Sequence, residues 1–278
     1  MDRLLLAGSA ALAAATLALH PRPFPLLVPL AAAALAVPVL AAAARRWPAA
    51  APLRDLQAML HLAVLFSLCG PVLAVGTSAR WDAALAAADL RLFGALPERW
   101  RGLGGRPGWL VDLSSAAYFS YYLLPPALVA GLWRDGRRAE LDRLLLAMAL
   151  TLLLSYGGYF ALPATGPRVA PADADRLLGG GAPSRALRAF LTLAEVNLLD
   201  AFPSGHTALS LVLLHRGWRL FAAWRVPLAL VVGGIVFSTV YLSLHYVVDL
   251  AAGALLAAAV PFLLPPLERL LSRPPAPR

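Results

Sequence analysis

Lysine is absent from this chain of 278 residues, and all 24 basic side chains are arginine. Cysteine is almost absent. The single Cys69 lies in an apolar run, which excludes an intrachain disulfide and fits a small buried hydrophobe. Charge is scarce: 14% of residues are charged and 60% are hydrophobic. A soluble domain of this length needs more charge on its surface. No aromatic-basic nucleic-acid motif occurs. The net charge of +9 therefore points to cytoplasmic loops and anionic lipid, not to DNA or RNA.

Apolar runs are what the chain has in quantity. Eight segments approach or reach the roughly 20 residues needed to cross a bilayer. They cover about 4–19, 24–44, 56–77, 110–132, 142–162, 206–222, 226–243 and 247–266. The pattern predicts an all-α, polytopic membrane helix bundle. Residues 1–50 read as an N-terminal two-helix segment and 51–278 as one membrane domain. The first run is short for a span and also has the character of a signal-like segment. With a cytoplasmic N-terminus and eight crossings, fourteen arginines fall inside and ten outside. The short inner loops are densely basic, which is the bias that sets topology. The loops before 206 and around 245 then face outward. Alanine- and arginine-rich, lysine-free composition points to a GC-rich, bacterial genome.

Two outer loops are long. Residues 78–109 contain an amphipathic stretch ending in Leu90-Arg91-Leu92-Phe93-Gly94. In 163–205, Leu187, Phe190, Leu191, Ala194 and Leu198 share one helical face, with Arg185, Arg188 and Glu195 elsewhere. Both predict helices lying in the membrane interface, either as a structural lid or as a guide for lipid.

Polar residues are few enough that three blocks stand out. His245 and Asp249 are four apart, so a helix starting there puts both on one face. The carboxylate can then fix one imidazole nitrogen and leave the other free to attack. A structural His–Asp pair is the plainer alternative, but ionisable pairs near a membrane are costly and more often functional. Pro203-Ser204-Gly205-His206 opens an apolar run. It reads as proline in a first helical turn with a serine cap. Free N–H groups at such a terminus bind phosphate, Gly205 admits close approach, and His206 can protonate a leaving alkoxide. An ordinary helix cap fits the same spacing. Gly166-Pro167-Arg168 adds a guanidinium on the same side, suited to a phosphate or to a lipid head group. A metal is the competing use of two histidines and an aspartate, but no compact set of further carboxylates or cysteines lies near them. No metal and no cofactor is therefore expected. His61 is a lone mid-span histidine, read as packed against a neighbour.

At these residues the chain resembles the type 2 phosphatidic acid phosphatase superfamily. That family carries Lys-x6-Arg-Pro, Pro-Ser-Gly-His and Ser-Arg-x5-His-x3-Asp. The second motif is complete at 203–206, and the third matches at Ser238, His245 and Asp249. Thr239 stands where the family has arginine, Ala161 where it has lysine, and Val169 where it has proline. These departures, with Leu92-Phe93-Gly94 and Tyr118-Phe119-Ser120-Tyr121-Tyr122, are similar to the inositol phosphorylceramide synthase-like branch. The resemblance spans about 55–266. It implies a six-helix phosphatase-like core preceded by about two helices. It also implies metal-free attack by His245 on phosphorus, giving a phosphohistidine. Asp249 would orient His245, His206 would act as acid, and Arg168, Ser204 and Gly205 would hold the phosphate. The substrate would be a lipid phosphate or phospholipid. Either water or a lipid alcohol can accept the phosphoryl group, so phosphatase and head-group phosphotransferase both remain. A non-catalytic lipid transporter or binding protein is the reading from another class. It would need more polar residues within the spans.

Overall fold

Long uninterrupted runs of alanine, leucine and valine form helices because a backbone in lipid must satisfy its own hydrogen bonds. The structure, a computed structural model, describes residues 1–20, 22–78, 80–168, 179–194 and 198–272. Val169, Glu195 and the Pro-rich tail lie outside the described residues. Eleven α-helices follow in order, with no strand among the described residues. They are α1 (Asp2–Leu19), α2 (Phe24–Arg46), α3 (Ala51–Gly76), α4 (Asp82–Phe93), α5 (Leu96–Arg101), α6 (Gly108–Arg134), α7 (Arg138–Ala161), α8 (Ala182–Ala194), α9 (Gly205–Leu220), α10 (Arg225–Tyr241) and α11 (Val247–Ser272).

All eight expected segments are helical, but among the described residues only six stretches are long and apolar enough to cross a membrane: α1, α2, α3, α7, α10 with the turn before it, and α11. The chain is an integral membrane protein. The other two differ for a physical reason. Helix α6 is long, at 27 residues, but carries Asp112, Ser114, Ser115, Tyr118, Ser120, Tyr121 and Tyr122. Helix α9 has only 16 residues and carries His206, Ser210, His215 and two arginines. Helix α9 is the more enclosed of the two: it packs on α6, α7, α10 and α11, so His206 and Ser210 in its first half face protein, while His215 and Arg219 are exposed near its end. One core cluster joins Leu132 of α6, Leu144 and Met148 of α7, Leu213 of α9 and Ile235 of α10. Between membrane helices such contacts work through close packing more than through exclusion of water.

The two ends of the bundle differ. At one end, Asp55 of α3 is fully buried and accepts from Arg138 Nη2 at 2.7 Å and Trp133 Nε1 at 2.9 Å. Arg54 donates to Asp2 at 3.1 Å, and Arg143 pairs with Glu268 at 3.3 Å. These bonds tie the starts of α1, α3 and α7 to the ends of α6 and α11. The opposite end collects the starts of α6, α9 and α11, with α4, α5 and α8 beside them. His61 sits between α1, α2 and α3, within 2.8 Å of Ser9 Oγ and 3.1 Å of the Ala33 carbonyl.

The two stretches expected to form amphipathic helices are helical as α4 and α8; the short α5 between α4 and α6 was not expected. Helix α8 lies on α6 through Leu187, Phe190 and Leu191. Its start is capped by Asp112, which accepts from the Gly181 and Ser184 N–H groups at 2.8 and 3.2 Å. Leu198, expected on the same face, lies beyond the helix and is exposed.

Candidate active site

The site forms where the start of α9 meets the turn from α10 into α11. Ser204 is the N-cap of α9: its Oγ accepts from the Thr207 N–H at 3.2 Å, which satisfies one of the donors a helix start leaves open. Its own N–H donates to the Asp249 carbonyl at 3.0 Å, so the two motif blocks are bonded through their backbones. Pro203 precedes the cap, joined to Phe202 by a cis peptide bond; it does not occupy the first helical turn, where the sequence reading put it. The reason for Gly205 also differs from expectation. A Cβ there would sit 2.5 Å from the Tyr159 hydroxyl of α7. Protein already fills the space assigned to an approaching ligand.

Helix α10 ends at Tyr241, and the chain turns through Ser243 in the left-handed region at φ 60°. The Thr239 carbonyl accepts from both Leu244 and His245 N–H groups. This turn places His245 just before α11, not within it, and Asp249 in the first helical turn. The pair still meets. His245 Nδ1 lies 3.0 Å from the Ala201 carbonyl and 3.4 Å from Asp249 Oδ2. Both neighbours are acceptors, so Nδ1 carries the proton and Nε2 holds the free lone pair. Asp249 Oδ2 also accepts from the Tyr246 N–H at 2.8 Å, as an acidic residue in a first turn does for its cap. The orienting and the structural readings of Asp249 therefore coexist in one carboxylate.

His206 projects from the first turn of α9 and is 8% exposed. Its ring centroid lies 4.1 Å from Tyr121, 4.6 Å from Tyr118 and 5.9 Å from His245. The two imidazoles thus face each other edge-on, inclined at 60°. The Tyr118–Tyr122 stretch, noted in the sequence without a role, makes an aromatic wall around His206. Arg168 Nη2 donates to Asp200 Oδ1 at 2.6 Å, with side chains 14% and 3% exposed. Asp200 lies two residues before Phe202 and was missed in the sequence. An acidic residue beside the motif in so carboxylate-poor a chain was the available signal.

Further supports come from α4. Asp82 accepts from the Gly166 N–H at 2.8 Å, and Asp89 from the Val247 and Val248 N–H groups at 3.0 and 2.7 Å. Asp89 thereby caps α11 beside His245, and Asp82 holds the Gly166 loop. That loop runs against the turn of His245: Gly166 has φ +79°, and a Cβ there would come within 2.5 Å of the Leu244 carbonyl, so only glycine fits. Tyr246 has its hydroxyl pushed up to about 12, by burial first and then by Asp82 and Asp249. The two motif hydroxyls are turned away. Ser238 Oγ donates to the Ile235 carbonyl and Thr239 Oγ1 to that of Val236, both at 2.7 Å within α10. Among the described residues no three His, Cys, Asp or Glu side chains gather as a metal site.

The arrangement joins a histidine with a defined free nitrogen, a second histidine facing it, a helix start and a guanidinium. Such a set can attack phosphorus, protonate a leaving oxygen and hold phosphate oxygens. No curated protein and no solved structure matches the chain. The family model of the PAP2 superfamily matches residues 83–263, from α4 into α11, and that stretch holds Arg168, Ser204, Gly205, His206, His245 and Asp249. With both histidine blocks inside a match that covers most of its length, the chain belongs to the PAP2 superfamily.

Proposed function

We propose that the protein is a metal-independent membrane phosphoesterase that acts on a lipid-linked phosphate through a phosphohistidine. The superfamily groups phosphatases and phosphotransferases, so an enzyme of that general type is the starting point. The observation that carries the finer reading is the facing pair of imidazoles, 5.9 Å between centroids, with Nδ1 of His245 tied down by Ala201 and Asp249.

In the first step Nε2 of His245 attacks phosphorus. An N–P bond forms and the P–O bond to the lipid breaks. His206, protonated, gives its proton to the departing alkoxide. In the second step His206 takes a proton from water, the oxygen attacks phosphorus, and the N–P bond breaks to release phosphate and restore His245. Arg168, held by Asp200, and the N–H groups behind Ser204 and Gly205 stabilise charge on the transferring group.

A lipid alcohol in place of water makes the same site a head-group phosphotransferase, like the inositol phosphorylceramide synthase-like branch. One observation favours keeping this reading. Thr239 is fully buried with its hydroxyl turned into α10, and Ala161 offers no charge, so two cations of the family pattern are missing. A phosphodiester, with less charge than a monoester, needs fewer of them. The site lies at the end opposite the arginine-rich contacts of Arg138, Arg143 and Arg54. That supports an extracytoplasmic site in a bacterial plasma membrane, given the arginine bias of the inner loops.

The test is incubation of the purified protein with radiolabelled phosphatidic acid and phospholipids, with and without chelator. Expected is phosphate release or head-group transfer that survives chelator and is lost in His245→Ala. Full activity of that variant would sink the mechanism. Absence of any turnover by the intact protein would favour a non-catalytic lipid-binding role.

A further inference from the structure

Two arginines outside the family motifs are held together with one distant, exposed carboxylate between them. Helix α5 ends at Arg101, and the chain then hooks back through Gly102–Gly105 to Arg106. Trp100 anchors the hook on α10, donating from Nε1 to the Phe237 carbonyl at 3.2 Å. Arg106 places its guanidinium 5.1 Å over the ring of Tyr241 and donates from Nη1 to the Arg101 carbonyl at 2.9 Å. Its backbone is in the left-handed region, φ 57° and ψ 54°. That conformation is rare for a long side chain and concentrates at functional sites.

Four guanidinium nitrogens of this pair, Nε and Nη2 of each, are buried with no hydrogen-bond partner among the described residues. Orphaned, charged donors of this kind are expensive to bury. Among the described residues the only carboxylate paired with either is Glu98, whose Oε1 is 4.0 Å from Arg101 Nη1 and whose side chain is 70% exposed. An exposed pair at that distance contributes little. Burial pulls the Arg106 guanidinium below its ordinary range; Tyr241 opposes the shift, and the like charge of Arg101 adds to it. The hook thus concentrates two positive charges against one weakly held, exposed carboxylate.

Its position says what does. The hook clasps the C-terminal end of α10, whose continuation carries His245. The charge of Arg101 reaches Tyr246, the residue after His245. Around the hook, Trp109 and Leu92 are each 67% exposed and Leu103 is 50% exposed. Exposed tryptophan and leucine next to half-buried arginine are the signature of head-group depth.

We propose that Arg101 and Arg106 form a second anion seat, which takes the phosphate of a phospholipid at the membrane interface beside the catalytic cleft. Guanidinium forks match phosphate oxygens and outlast loss of their own hydration better than ammonium groups. The seat is a binding element and stands apart from the chemistry at His245. It also returns positive charge to a site whose Ala161 and Thr239 withhold it.

The experiment uses the full chain carrying His245→Ala, so that no turnover intervenes, in neutral-lipid nanodiscs. Thermal unfolding and binding are followed against phosphatidic acid, against diacylglycerol and against inorganic phosphate alone. Expected is stabilisation by phosphatidic acid and none by diacylglycerol. Adding Arg101→Gln and Arg106→Gln should weaken phosphatidic acid binding about tenfold or more, the scale of two lost charge-assisted bonds. Adding Arg168→Ala instead should leave that share of binding intact. Equal protection by inorganic phosphate would support the seat with free phosphate as its ligand. Unchanged phosphatidic acid affinity in the glutamine variant would overturn the proposal. So would a lower unfolding temperature of that variant without ligand, since it would make the arginines structural; relief of their repulsion predicts an equal or higher one.

Discussion

Gly205→Ala separates packing from chemistry at the start of α9. The added methyl would sit 2.5 Å from the Tyr159 hydroxyl, about 0.9 Å inside the 3.4 Å at which ordinary contact begins. Tyr159 has little room to yield: it is 3% exposed and packs against Tyr156 and Phe66. The strain therefore falls on the first turn of α9, which carries His206. Alanine's better helix propensity returns less than about 1 kcal/mol, against about 1–3 kcal/mol for overpacking. Stability should fall by roughly 1–2 kcal/mol in thermal unfolding. A shift of nearly 1 Å at a reacting group costs roughly 100-fold in rate, so turnover of radiolabelled lipid phosphate should fall far more than stability does. The structure also specifies the rescue. Tyr159→Phe removes the hydroxyl and leaves the ring carbon 3.8 Å from the new methyl, an ordinary contact. The double variant should recover most of the lost activity. A Gly205→Ala protein as active as the parent, or a double variant no better than the single, refutes the reasoning.

Asp249→Asn should keep the Tyr246 cap, and the Ala201 carbonyl should still hold His245 in its tautomer. Lipid phosphate turnover should then fall about 10- to 100-fold, well short of the ~10⁴ seen when asparagine imposes the wrong tautomer on a triad histidine. Asp200→Ala removes the acceptor that aims Arg168, and kinetics on a lipid phosphate should show a raised KM together with a lowered kcat. Asp55→Ala removes the buried acceptor shared by Arg138 and Trp133; Arg138 is partly exposed and keeps Asp142, so the cost in thermal unfolding should be about 1–3 kcal/mol. The surviving folded fraction should turn over normally, because the site lies at the other end of the bundle.

Much was legible in the order of residues because membrane helices are written as length and hydropathy. A largely apolar stretch of 24 or 26 residues such as α7 or α11 has one stable form in lipid, and composition alone excludes a soluble fold. The two histidine blocks were legible because polar groups are too costly in this setting to be frequent. Spacing could not say which helices are shielded from lipid. Helix α9, at 16 residues, is tolerated because α6, α7, α10 and α11 surround it. Nor could it give the reason for Gly205, since Tyr159 lies 46 positions earlier. Asp89 and Asp82 were unreadable for the same cause, and Asp200 showed only its place beside the motif: each acts on a backbone or guanidinium group brought to it by folding.

The sequence by itself determined a helical membrane protein that carries two histidines, an aspartate and an arginine in the blocks proposed for phosphoryl chemistry. Local rules suffice there, because hydropathy and short-range spacing act within single helices. Only the tertiary structure decided that the Ala201 carbonyl shares His245 with Asp249, that tyrosines wall His206, and that Arg101 and Arg106 meet beside the site. Those are contacts between helices, where direction and distance, not residue type, set the energy.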